Sequence, residues 1–110
     1  MTRGALIEFP ADDLERSRRF WEGVLGIRLE DRKQGQGSGV QAREHAEAFV
    51  GLHPRGPGPG DAAALPYFLV PDLDEAVERV LALGGEIVHP GVRWAICRDT
   101  EGNPFGLGRA

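Results

Sequence analysis

The chain has 110 residues, 41% of them hydrophobic, and its 13 basic against 17 acidic side chains give a formal charge of −4. That length suits one domain with a core of its own, and the single cysteine, Cys97, excludes an intramolecular disulfide. The acidic balance argues against nucleic acid or an anionic membrane as partner. No apolar run approaches bilayer length, and no basic-then-apolar leader opens the sequence, so a cytoplasmic protein is expected.

Ala5 to Phe9 reads as a short strand stopped by Pro10. Asp12 then caps a helix, with Glu15 three residues on as in a capping box. Leu14, Trp21, Val24 and Leu25 share one face of that helix, with Phe20 at its edge. Glu15, Arg16, Arg18 and Arg19 lie mostly opposite. Gly23 or Gly26 ends the helix, and Ile27 to Arg32 follows as a strand. Gln34 to Gly39 reads as a hairpin turn. Its GQGSG is not a phosphate loop, since no helix with Lys and Ser/Thr follows. Val40 to Arg43 and Ala46 to Leu52 are weaker strand candidates, whose glutamates and alanines suit a helix equally.

PRGPGPG, from Pro54 to Gly60, is neither helix nor central strand and reads as a linker. Leu65 to Val70 is the next strand. Asp72 caps a second helix, with Glu75 in the same box position. Leu73, Ala76, Val77, Val80 and Leu81 fall at helical spacing, and Gly84 and Gly85 stop the helix. Glu86 to His89 and Val92 to Arg98 are strands, Asp99 to Asn103 a turn, and Phe105 to Leu107 the last strand.

The chain therefore states one pattern twice. LIEFPADDLERSRRFWEGVLGIRL (Leu6 to Leu29) and YFLVPDLDEAVERVLALGGEIV (Tyr67 to Val88) each run strand, proline, acidic helix start, amphipathic helix, glycine, strand. Two copies of one unit are expected to pack together. The expectation is an α+β fold. Two β-α-β-β-β modules form a cupped, mixed, mostly antiparallel sheet in a single domain. The repeats span about residues 1–53 and 64–110, joined by a linker over 54–63. Each sheet has one face for its helix and one left over, for a cleft or another subunit.

FPADDLERSRRFWEGVLG, VPDLDEAVERVLALGG and the closing turn RDTEGNPFGL together resemble the vicinal oxygen chelate superfamily: glyoxalase I, bleomycin-resistance and fosfomycin-resistance proteins, and extradiol dioxygenases. Thr100 stands where that turn usually has proline. The resemblance implies the two-module fold, a homodimer, and in the enzymes a divalent metal chelating two neighbouring substrate oxygens. Its ligand positions fall at Leu6, Gly51, Leu65 or Pro66, and Gly106, none of which offers a metal donor.

Strand parity puts Glu8 on the face of Leu6, the cleft side. There it would anchor a cation, accept a proton or pair with an arginine; a structural salt bridge or subunit contact is the plainer reading. His53 shares parity with Gly51, for acid–base chemistry or metal binding beside Glu8, although a strand ending at Pro54 would leave it an exposed loop histidine. Tyr67 and Trp94 are aromatic groups with polar handles that would stack a flat ligand or pack a core or interface. His45 and His89 read as surface residues, Trp21 and Phe20 as packing, and Cys97 as an inert buried thiol.

The favoured expectation is a metal-free, cofactor-free small-molecule binding protein of the bleomycin-resistance type. Glu8, His53, Tyr67 and Trp94 would line its site, and the acidic balance suits a cationic ligand. Two alternatives stand beside it. One is a metal-dependent lyase or dioxygenase with relocated ligands. The other is a structural or regulatory dimerisation module whose cleft is filled by its own side chains, with Leu6, Leu65 and Phe49 as core.

Overall fold

The first strand does not stop at its proline. In the computed structural model, which describes residues 4–43, 49–58 and 60–109, β1 (Ala5–Ala11) runs through Pro10. The backbone N–H of Ile7 donates to the carbonyl of Phe49, and Arg55 donates to that of Ala11. The odd residues thus bond toward β4 (Val50–Pro54), and Pro10, lacking an N–H, faces the other way.

Helix α1 (Leu14–Leu25) begins one residue later than the capping pattern suggests. The N-cap is Asp13, whose carboxylate accepts from the Arg16 N–H at 3.0 Å. Asp12 is drawn away, accepting instead from Arg55 Nε at 2.9 Å. Gly26 ends the helix with φ 65°, a left-handed conformation that suits glycine. Only part of the expected apolar stripe is covered. Leu14 and Trp21 pack against the core, with Trp21 stacked on Phe9 at 4.6 Å. Phe20, Val24 and Leu25 are exposed.

The strands are β2 (Leu29–Asp31), β3 (Val40–Ala42), β5 (Leu65–Val70), β6 (Glu86–His89), β7 (Trp94–Arg98) and β8 (Pro104–Arg109). The second helix, α2 (Leu73–Ala82), is capped by Asp72 as expected. Part of the Ala46 to Leu52 strand candidate and His45 lie outside the described residues, and β4 starts at Val50. β2, β3 and β7 are shorter than their candidates, while β8 is longer.

These elements form two compact units, Ile7–Ala64, and Leu65–Ala110 with Met1–Leu6. The first orders its strands β2-β3-β4-β1, and the second orders them β6-β7-β8-β5. In both, the first and fourth strands of the repeat are parallel and the other pairings antiparallel. The expected α+β architecture, mixed and mostly antiparallel, is therefore present.

Each unit buries one sheet face against its own helix. In the first, Leu29, Val40, Ala42, Val50 and Leu52 form the core with Phe9, Leu14 and Trp21 against them. In the second, Val70, Leu73, Ala95, Cys97 and Leu107 do so with Ala76, Val77 and Val80. Phe49 packs into the first of these cores. That places it among the helix-side residues, not at the cleft-facing position expected for it. The period of two along each strand then sends the intervening residues to the face away from the helix.

Candidate functional site

On that outer face of the first unit sits a buried charge. Glu8 is 5% exposed, the one charged residue in the described core. Its register partner is Gly51 across the parallel pair, and Gly51 in turn faces Gln41 on β3. Arg32, just beyond β2, donates through Nη2 to Glu8 Oε2 in an ion pair buried on both sides. The same guanidinium donates from Nε to Gln41 Oε1 at 2.9 Å and from Nη1 to the Ser38 carbonyl at 3.1 Å. His53 completes the cluster, with Nδ1 lying 2.9 Å from Glu8 Oε1.

The donor logic is fixed by the carboxylate. Ionised and paired with Arg32, Glu8 can only accept, so Nδ1 of His53 carries the proton in this bond. Both carboxylate oxygens are then engaged, and Glu8 and Arg32 cancel in charge. The other ring nitrogen, His53 Nε2, is buried and has no hydrogen-bond partner among the described residues. A polar atom left in that state costs about 1–3 kcal/mol.

A glycine makes the cluster possible. A Cβ on Gly51 would run into the Glu8 carboxylate and the Arg32 guanidinium, closer than real Cβ atoms approach. Strand glycine here marks a close approach of large neighbours. The second unit repeats the device with different chemistry. Gly106 is the register partner of Tyr67, and a Cβ there would run into the Tyr67 ring. Trp94 pairs with Gly108 and Ile96 with Gly106, while Ala95 and Cys97 are in the helix-side core. Trp94, 38% exposed, therefore shares the outer face of its unit with Tyr67.

The four expected site residues are thus placed unequally. Glu8 and His53 are in direct contact, and His53 belongs to β4, not to an exposed loop. Tyr67 and Trp94 lie in the other unit and share a face there. Arg32 and Gln41 were not foreseen. The available signal was the need of a buried carboxylate for a cation, together with the parity that puts Arg32 in line with Glu30 and hence with Gln41. Cys97 is fully buried, and desolvation pushes its thiol pKa up, which fits an unreactive role. Asp99 closes the last turn, accepting from the N–H groups of Glu101 and Asn103 and from the Asn103 amide. The Asn103 bonds lead in lowering its pKa.

This chain belongs to the family of glyoxalase-like domains, whose model matches residues 6–108. Solved structures agree on the fold. A protein described as NAD-dependent benzaldehyde dehydrogenase from Legionella pneumophila superposes with a TM-score of 0.76 at 13% identity, covering 96% of this chain and 98% of that one. Methylmalonyl-CoA epimerase of Streptomyces coelicolor, in complex with 2-nitronate-propionyl-CoA, gives 0.71 at 14% identity, covering 100% and 98%. A glyoxalase/bleomycin resistance protein/dioxygenase superfamily member from Vibrio splendidus 12B01 gives 0.58 at 17% identity, covering 96% and 97%. At these identities the likeness speaks for the fold alone. No curated protein matches the chain.

The divalent metal of the superfamily's enzymes does not fit the residues present. The positions that the resemblance gives to its ligands hold Leu6, Gly51, Leu65 or Pro66, and Gly106. The space beside Gly51 is taken by Glu8 and Arg32, and that beside Gly106 by Tyr67. Among the described residues no group of three His, Cys, Asp or Glu side chains is arranged to hold a metal ion. No described helix is long and apolar enough to cross a membrane.

Proposed function

We propose that this chain binds a small molecule without making or breaking a bond. The contact would lie on the outer strand face of the first unit, where Glu8, Arg32 and His53 meet. The observation that carries this reading is His53 Nε2, a buried polar atom lacking a partner in a cluster whose other donors and acceptors are engaged. A buried polar group left without a partner is the kind of feature that fixes a ligand's orientation. Calorimetric titration of a small-molecule library against the wild-type chain and His53→Phe tests it. A saturable ligand weakened at least ten-fold by the substitution is the expected result. A compound that is turned over, or a library with no saturable member, overturns it.

One second reading has an observation in its favour. The slots beside Gly51 and Gly106 are filled by the chain's own side chains, as in a structural module with a closed cleft. That reading predicts no saturable ligand at all. A homodimer belongs to either reading as a proposal, supported by the exposed apolar Phe20, Val24 and Leu25 along α1. Light scattering on wild type and Phe20→Glu checks it, and a monomeric wild type ends it.

A further inference from the structure

The expected ligand was a cation, drawn by Glu8. The geometry points to a different chemistry: we infer that the site selects a neutral hydrogen-bond donor, an O–H or N–H, received by the lone pair of His53 Nε2. Glu8 and Arg32 act as positioning residues and do not touch the ligand. This inference rests on the binding reading above and adds the ligand class to it.

Three steps lead there. Glu8 cannot hold a cation without releasing one of its partners, because Oε2 is bonded by Arg32 and Oε1 by His53. Arg32 is likewise committed, to Glu8, Gln41 and Ser38. His53 Nε2 is then the buried side-chain polar atom without a partner among the described residues. Because the carboxylate holds the proton on Nδ1, the neutral ring presents a lone pair at Nε2 and can only accept there. A carboxylate orienting an imidazole in this way is a familiar device for fixing which nitrogen carries the proton. An acceptor so placed rejects a ligand that brings an oxyanion, and gains nothing from an ammonium group except as an ordinary donor at higher desolvation cost.

The test uses the full chain labelled with nitrogen-15 in histidine, at about pH 8, where phenol is neutral and benzylamine is an ammonium ion, and three probes of similar size: phenol, benzylammonium and benzoate. In the free chain the His53 ring is expected in the Nδ1–H form. Glu8→Gln, which removes the charge that fixes the proton, is expected to redistribute it between the two nitrogens, a change that a merely structural carboxylate would not produce. Phenol is expected to saturate, to move the Nε2 resonance, and to bind at least ten-fold more tightly than the other two. His53→Phe should abolish that preference. The inference is overturned if the free ring carries its proton on Nε2. It is equally overturned if benzylammonium or benzoate binds best, or if the ligands that bind leave Nε2 unmoved; in each case small-molecule binding still stands. Failure of phenol and of every library member to saturate removes both the inference and the binding reading.

Discussion

The two units solve one geometric problem with opposite chemistry. In each, a glycine on the fourth strand opens a slot, and the side chain two residues into its parallel partner's outer row fills it. Gly51 lies beneath the Glu8–Arg32 pair, and Gly106 beneath the Tyr67 ring. A duplicated backbone therefore does not carry a duplicated site. The first unit stores charge in its slot and the second stores a ring. The difference is one of stability: a buried ion pair costs desolvation that an aromatic ring does not.

The sharpest way to break this comparison is to remove one side of the pair. Arg32→Ala leaves Glu8 buried without its cation, and is expected to cost about 3–5 kcal/mol in denaturant unfolding. Replacing both Glu8 and Arg32 by methionine should cost far less than that, since no charge is then stranded. Equal costs for the single and double substitutions would mean that the pair is not buried as described.

Next come the glycines themselves. Gly51→Ala and Gly106→Ala each force a Cβ into an occupied slot, with an expected cost of about 1–3 kcal/mol. Combining Gly106→Ala with Tyr67→Ala should recover more than about 0.5 kcal/mol of the summed single costs. Chemical denaturation of the single and double variants measures this. Strict additivity of Gly106→Ala and Tyr67→Ala would contradict the assignment of the Tyr67 ring as the filler of that slot.

The helix starts sharpen the likeness. Asp13→Ala and Asp72→Ala each remove an N-cap and should each cost about 1 kcal/mol. Asp12→Ala loses only an exposed pair with Arg55 and should cost less, about 0–1 kcal/mol. If Asp12→Ala proves the costlier of the first-unit pair, the capping assignment of α1 is wrong.

Much of the second unit was legible in the chain, and the reason is local. Leu65 to Val70 and Glu86 to His89 read as strands at the bounds they occupy. Asp72 stands alone before Leu73, so only one residue can cap. In the first unit two adjacent aspartates compete: Asp13 caps the helix, and Asp12 pairs with Arg55, more than forty positions away in sequence. Pro10 reads as a stop, yet its missing N–H falls on the side where β4 does not need it. Strand parity puts Glu8 with Leu6 and His53 with Gly51, and the parallel pairing of β1 with β4 brings the two side chains together. Parity puts Arg32 on the face of Glu30, but its pairing with Glu8 depends on the order of β2, β3, β4 and β1, which no local pattern states. Trp94 could not be oriented until its register with Gly108 was known.

The smallest expected effect lies in the second unit's closing turn. Asp99 has its pKa lowered chiefly by its bonds to Asn103, with the Glu101 N–H adding to them. The folded chain therefore holds that proton less tightly than the unfolded chain does. Its contribution is present above the unfolded value, about pH 4, and is lost as pH falls through the lower folded value. Asp99→Asn should remove that contribution near neutrality and flatten the acid limb. Urea midpoints of both proteins between about pH 6 and 2.5 should lie apart at pH 6 and converge at the acid end, with wild type falling more steeply. Parallel curves would show that the turn does not distinguish the charged from the neutral side chain. The second unit's closing turn would then owe its shape to Gly102, with its φ of 85°, more than to Asp99.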